Sequence, residues 1–207
     1  MNVGNTDNIS KIKDLNNFLL NFDYDVEKSD ISKFYDVVIK AVPEWKRLIN
    51  CKQHVTHDFT LDIHTFLVIK KIKETNSYKK LQNYEKLILL YAALFHDIEK
   101  KEGQVDNEHP QKGAKKAQDI LIRLGFDQQF IMYVKDIILN HQILGRIACK
   151  KMVFDDVDLK NRIKTKDLLK FLAIFSVADI KSVKRNECFY NENIGIEIEE
   201  IVRKINN

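Results

Sequence analysis

Two adjacent residues, His96 and Asp97, stand at the end of an apolar run that begins at Leu87. Between Leu87 and Phe95 the only polar atom on a side chain is the Tyr91 hydroxyl, and neither Gly nor Pro interrupts the run. Leu and Ala dominate it, which favours helix over strand, and a helix apolar on all sides is a buried one. A carboxylate at the end of such a helix needs a partner, because taking its charge out of water costs several kcal/mol or more. A metal ion supplies one, and imidazole beside carboxylate is a usual ligand set.

Other residues share this property. Residues 61–72 read as a helix whose apolar face carries Leu61, Val68, Ile69 and Ile72, and His64 lies on that face. Residues 167–183 read as another strongly apolar helix, with Asp179 set among Phe175, Val177, Ala178 and Ile180. A lone histidine or aspartate on an apolar face is more often a hydrogen-bonded core residue than a ligand. Four of them (His64, His96, Asp97 and Asp179) would each need a separate buried partner, whereas one divalent cation satisfies all four. His109, at a helix start, and His141, at a helix end, bear on the same point. If both face the cluster, a second ion with Asp97 bridging becomes possible; otherwise they contact a substrate phosphate.

The elements that must position these residues read as helices throughout. With 6 Gly and 2 Pro in 207 residues, a turn-rich β architecture is disfavoured, and an all-α domain is expected. Stripes of apolar residues mark helices over 9–22 and from 31 to 42, with Asp30 as a cap, residues 1–8 frayed and a break at residues 23–25. Pro43 opens a further turn holding Trp45 and Leu48. Residues 1–50 carry no evident chemistry and are expected to form a helical cover on the core, with residues 51–207 forming the functional part of one structural unit. Residues 51–60 form a polar connection and 76–82 a loop. A central helix is expected over 84–100, ending at Gly103. Pro110 starts a helix that stops at Gly125, Asp127 caps the next over 128–140, and a short helix occupies 144–151. Residues 155–166 are weakly patterned, and a closing amphipathic helix covers 191–205.

Net charge is +4, and the lysines are scattered in pairs rather than massed in one tract. That suits a solvated surface with some attraction for phosphate-bearing substrates, and disfavours a nucleic-acid partner. Cys51, Cys149 and Cys188 are odd in number and far apart, with no CxxC and no disulfide framework. There is no signal-peptide pattern at the N-terminus and no apolar run of the ~20 residues a membrane span needs. A reducing cytoplasm is the expected compartment.

The order His, His-Asp, Asp, and the local motifs around it, resemble the HD superfamily of metal-dependent phosphohydrolases. The resemblance runs from about residue 50 to residue 185. His57-Asp58-Phe59-Thr60-Leu61-Asp62-Ile63-His64-Thr65 is similar to the family's H-x-x-T-x-D-x-H-T, and Leu94-Phe95-His96-Asp97-Ile98-Glu99-Lys100 to its L-L-H-D-I-G-K. His109-Pro110-Gln111-Lys112-Gly113-Ala114 is similar to H-x-x-x-G-A, and Asn140-His141-Gln142 and Val177-Ala178-Asp179-Ile180 complete the series. The spacing is most similar to the HD domain of the uridylyltransferase/uridylyl-removing enzymes. Glu99 departs from the pattern, standing where the family has Gly. Those enzymes also carry nucleotidyltransferase and regulatory domains, for which 207 residues leave no room, so a stand-alone phosphohydrolase is the expectation.

The resemblance implies an all-helical HD-type bundle with a buried metal held by His64, His96, Asp97 and Asp179, and with His109 and His141 at a second ion or at phosphate. It further implies hydrolysis of a phosphomonoester or phosphodiester, of a nucleotide or nucleotidylated substrate. Asp97 and His96 are the candidate catalytic residues, Asp97 to orient or deprotonate water. Lys100 and Arg146 are candidates to contact phosphate, each weighed against a role as a solvated or ion-paired surface residue. His57 is expected to line the pocket and His54 to be exposed. The ligand set suits one or two ions of Mn, Fe, Co, Ni or Zn, and Mg less well because of the imidazoles. Two rivals come from other classes: a non-catalytic metal- or nucleotide-binding regulatory domain, and a helical RNA-binding module using the lysines.

Overall fold

The computed structural model describes residues 3–22, 31–55, 57–183 and 191–206. Every element in these segments is helical. In chain order they are α1 (Val3–Asn21), α2 (Ile31–Ala41), a 3-10 segment (Pro43–Leu48), α3 (Leu61–Glu74), α4 (Asn76–Lys79), α5 (Asn83–Phe95), α6 (His109–Leu124), α7 (Gln128–Asn140), α8 (Ile143–Ala148), α9 (Asp156–Arg162), α10 (Lys166–Ile180) and α11 (Ile194–Asn206). No described helix is long and apolar enough to cross a membrane.

The helix ends follow from local chemistry. The side chains of Thr75, Asp127, Asp155 and Thr165 each accept from a backbone N–H three residues on, opening α4, α7, α9 and α10. Pro110 sits in the first turn of α6, where its missing N–H costs nothing. Gly125 ends α6 at φ +80, a left-handed conformation that a side chain would oppose.

Helix α5 is the centre of the bundle. Its residues from Ile88 to Phe95 are all buried, and it packs against α1, α3, α6, α7 and α10. One continuous apolar cluster joins it to Leu15 and Leu19 of α1, Phe34 of α2, Phe66 of α3, Phe175 of α10 and Ile198 of α11. Fully burying each such side chain stabilises the fold by about 1.5–3 kcal/mol. Helix α11 covers α8, α9 and α10.

The first 50 residues are joined to this core by polar as well as apolar contacts. Phe34 packs edge-on against Trp45 and Phe66, with centroids 5.3 and 5.4 Å apart. Lys73 of α3 donates to the carbonyls of Leu19, Leu20 and Phe22, satisfying the acceptors left open at the end of α1. Asp62, 1% exposed, receives the Tyr35 hydroxyl at 2.7 Å and the Asn50 N–H at 3.0 Å on one oxygen, and the Ile63 N–H on the other. Arg123 of α6 makes a two-pronged pair with Glu44.

Several sequence expectations need correction. The central helix closes at Phe95, not at residue 100, and residues 96–99 turn away from its axis. Residues 76–79 form a one-turn helix rather than loop, because Thr75 caps it and Tyr78 anchors it in the core. The first helix reaches back to Val3, so residues 3–8 are helical rather than frayed. His54 is half-buried, not exposed. Cys51 is a free thiol, but Cys149 is disulfide-bonded, against the expected absence of disulfides. The proposed break at residues 23–25, the Asp30 cap and Cys188 lie outside the described residues.

Candidate metal centre

The C-terminal end of α5 builds the site. A helix leaves its last carbonyls without intrahelical donors, and three such carbonyls are satisfied here in three ways. Ala93 O accepts from His96 Nδ1 at 2.8 Å. Leu94 O accepts from the Trp45 indole N–H at 2.9 Å. Phe95 O accepts from the Ile98 N–H at 3.0 Å, tightening the turn. This turn swings Asp97 out of line with α5, so that His96 and Asp97 reach one point although they are neighbours in sequence.

The other residues arrive at the same place. His141 caps α7 as His96 caps α5, its Nδ1 donating to Ile138 O at 2.7 Å. His109 opens α6, and its Nδ1 donates to Asp106 O. His64 comes from the first turn of α3 and Asp179 from the last turn of α10. The approach of α6 depends on Gly113, where an added Cβ would lie 3.3 Å from the His96 carbonyl oxygen.

Two groups result. His64, His96 and Asp179 offer ligand atoms all within 4.8 Å of one another, and so do Asp97, His109 and His141. Asp97 lies between them: Oδ1 is 3.3 Å from His109 Nε2, while Oδ2 is 3.5 Å from His96 Nε2 and 3.8 Å from His64 Nε2. His64 Nε2 is 3.2 Å from Asp179 Oδ1. All six residues are buried except Asp179, whose side chain is 24% exposed toward the cavity.

The hydrogen bonds favour a cation at this point. A backbone carbonyl can only accept, so His96, His109 and His141 must each carry their proton on Nδ1. Their Nε2 lone pairs then face inward, the arrangement that orients metal-bound imidazoles. His96 Nε2 lies 3.2 Å from His64 Nε2, a close approach of nitrogens that a shared cation stabilises. Three helix carbonyl ends, those of α5, α7 and α10, converge here and add negative partial charge. His64 Nδ1 is buried without a hydrogen-bond partner among the described residues.

Protonation states fit ligation. Burial lowers the His96 pKa, and it holds His141 down at about 4, so both rings are neutral at pH 7. Burial alone would raise the pKa of Asp97, but Lys100 and the imidazoles of His96, His64 and His109 outweigh it and hold the carboxyl well below its usual range. Burial opposes ionisation of Asp179 too; its hydrogen bond with His64 and the surrounding imidazoles outweigh that effect and depress it.

Five of the six residues, His64, His96, Asp97, His141 and Asp179, line a cavity of about 500 Å³, and His109 is outside its lining. His57 lines it, its ring 6.2 Å from that of His64, and burial followed by Lys100 and His64 lowers its pKa to about 4. Lys100 lines it also, donating to Asp97 Oδ2 at 3.0 Å and Gln53 Oε1 at 2.8 Å. Arg146 of α8 lines it as well. Glu99 turns away to pair with Arg47 at 3.1 Å. Sequence reasoning quoted Asp62 and Gln142 within motifs without giving either a role, and it did not reach Gln53 or Asp106. Asp62 was legible as a polar residue in the first turn of a helix, but the other three act through loop geometry that no periodicity marks.

This fold and this arrangement of ligands define a class, and comparison with known proteins agrees: residues 61–183 match the HD domain model, and the chain belongs to that family. Its relatives include the bifunctional uridylyltransferase/uridylyl-removing enzymes of Vibrio cholerae, 27% identical over 161 residues, and of Idiomarina loihiensis, 23% identical over 182 residues. These alignments cover 70% and 81% of this chain but only 18% and 20% of the relatives. The Haemophilus influenzae enzyme of the same name is 25% identical over 167 residues, 73% of this chain and 19% of that protein. The chain thus spans about a fifth of the length of these relatives.

Proposed function

We propose that this chain is a metal-dependent phosphohydrolase that cleaves a phosphomonoester or phosphodiester of a nucleotide or nucleotidylated substrate. The observation that carries the reading is the convergence of six imidazole and carboxylate groups, five of which line a cavity large enough for a small molecule. His64, His96 and Asp179 would hold one divalent ion and His109 and His141 a second, with Asp97 shared. When bound, such ions supply Lewis-acid polarisation of a phosphoryl oxygen and a hydroxide nucleophile near neutral pH.

The chain's own groups do the rest. Asp97 accepts a hydrogen bond from Lys100 on Oδ2, which fixes its orientation and keeps it ionised as the acceptor for a proton from water. Lys100, held by Gln53 as well, presents its charge to the phosphoryl group. His57, neutral at pH 7, offers a hydrogen bond to the ester from the cavity wall. Arg146 draws the anion in from the mouth. The relatives' names extend the reading to nucleotidylated substrates, though the match covers only part of those proteins. Space beyond the ligating groups favours catalysis over a closed structural site.

The test is phosphate or nucleotide release from a panel of phosphomonoesters and phosphodiesters, in buffer supplied with Mn, Fe, Co, Ni or Zn. Asp97→Ala and His96→Ala are each expected to abolish it. Activity intact in both variants would overturn the assignment.

A further inference from the structure

We infer that the cavity contains a second anion-binding subsite, formed by Arg146 and Lys151, and that the substrate therefore carries a phosphate other than the one cleaved. The inference rests on the phosphohydrolase reading and narrows it to a class, the bisphosphorylated nucleotides and sugars.

Arg146 and Lys151 line the same cavity as the ligand cluster. Their proximity is built by the backbone. Beyond α8, Lys150 adopts φ +56, a left-handed conformation that costs a non-glycine residue about 1–2 kcal/mol. The turn lets the N–H groups of Lys151 and Met152 both donate to the Arg146 carbonyl, at 2.7 and 3.1 Å. The chain thereby folds back on itself and brings the Lys151 backbone to that of Arg146, with both residues lining the cavity. Exposed cations usually find a carboxylate or project into bulk water; these two share one concavity, and neither has an acidic partner among the described residues.

Charge bookkeeping separates them from the cluster. Lys100, the third cation in the lining, is already engaged by Asp97 and Gln53. Asp97 and Asp179 face imidazoles. The remaining two positive charges have no counter-charge among the described residues, which leaves them to an anionic ligand. The cavity volume exceeds what a single phosphoryl group fills and falls in the range that holds a whole small molecule. The uncharged side chains of Asn107 and Gln142 also line it, suited to the hydroxyls of a sugar between two phosphates. A guanidinium fork and an ammonium lining the same cavity are a fitting receptor for the outer one.

Two probes differing by one phosphate test this: adenosine 5′-monophosphate and adenosine 3′,5′-bisphosphate, at fixed ionic strength because exposed cations are screened by salt. In the first arm, kcat/KM is measured for both with the Mn²⁺-loaded full chain and with the Arg146→Gln/Lys151→Gln double variant. The wild-type ratio is expected to favour the bisphosphate by about tenfold or more, the value of one charged hydrogen bond, and the double variant to bring the ratio near one. In the second arm, calorimetry measures binding of both probes to the Asp97→Asn protein, with and without the double substitution, and the same preference and its loss are expected. Hydrolysis with no preference, or a preference the double variant keeps, overturns the subsite and leaves the hydrolase reading standing. Absence of hydrolysis with a binding preference that the double variant removes overturns the hydrolase reading and leaves the subsite. Equal binding of both probes to Asp97→Asn overturns the subsite whatever the first arm gives.

Discussion

Trp45→Phe would test whether the segment before the family-matched region is structurally part of the site. Trp45 is fully buried, and its indole N–H donates to the carbonyl of Leu94, two residues before His96. That carbonyl has lost its helical donor because the Ile98 N–H bonds to Phe95 O instead. Phenylalanine keeps an aromatic ring against Phe34 but removes the donor. Leaving a buried carbonyl unpaired costs about 1–3 kcal/mol, and the smaller ring leaves a gap worth roughly 1–2 kcal/mol more. A total of roughly 2–5 kcal/mol corresponds, for a chain of this size, to a fall in melting temperature of about 5–15 °C. Thermal unfolding followed by circular dichroism reads this directly. Because the loss falls on the turn that aims His96, metal affinity in the folded variant should also weaken. A melting temperature within about 2 °C of wild type would refute the claim that the indole caps this turn.

Further outcomes follow from the same geometry. Chelating the metal should lower the melting temperature by about 5–10 °C, since a ligand at a hundred times its Kd contributes roughly 2.7 kcal/mol; the His64→Ala/His109→Ala double variant should show little of this response, and a wild-type protein indifferent to chelator would contradict the metal assignment. Metal analysis of His109→Ala and of His64→Ala should each find one ion retained and the other lost, whereas loss of both ions from either variant would merge the two groups into one. Gly113→Val should destabilise by roughly 1–3 kcal/mol, because the His96 carbonyl cannot move aside as a side chain could. Gly195→Ala in α11, where nothing lies within 4 Å of the new methyl, should instead stabilise by about 0.5–1 kcal/mol, and matching effects at the two glycines would undo the packing argument.

Much of the architecture was legible because it is written in helical periodicity and in caps. Gly125, Asp127 and Pro110 mark ends that the structure reproduces within a residue or two. The end of α5 was misjudged because nothing apolar or polar in residues 96–100 announces a turn. What stops the helix is a tertiary partner, the Trp45 indole some fifty residues earlier, together with the ring of His96 bonding back to Ala93. The ligand residues could be nominated because polar groups on apolar faces are conspicuous. Their division into two groups around Asp97 could be read only as one of two alternatives, since it depends on which oxygen faces which imidazole. Lys151 was invisible for a similar reason: only the left-handed turn at Lys150 brings it to Arg146. Glu99 looked intrusive in sequence, yet Arg47 draws it off the cavity.

The contact at Gly113 bears on how freely neighbouring chain can vary. Since main chain meets main chain there, the gauge between the imidazole that opens α6 and the carboxylate beyond α5 is fixed by backbone thickness. The earlier part of the intervening stretch, residues 101–105, is relieved of that duty, unlike Asp106, whose carbonyl holds His109 Nδ1. It can be lengthened, recharged or replaced to suit a different visitor while the ligand spacing below it stays constant.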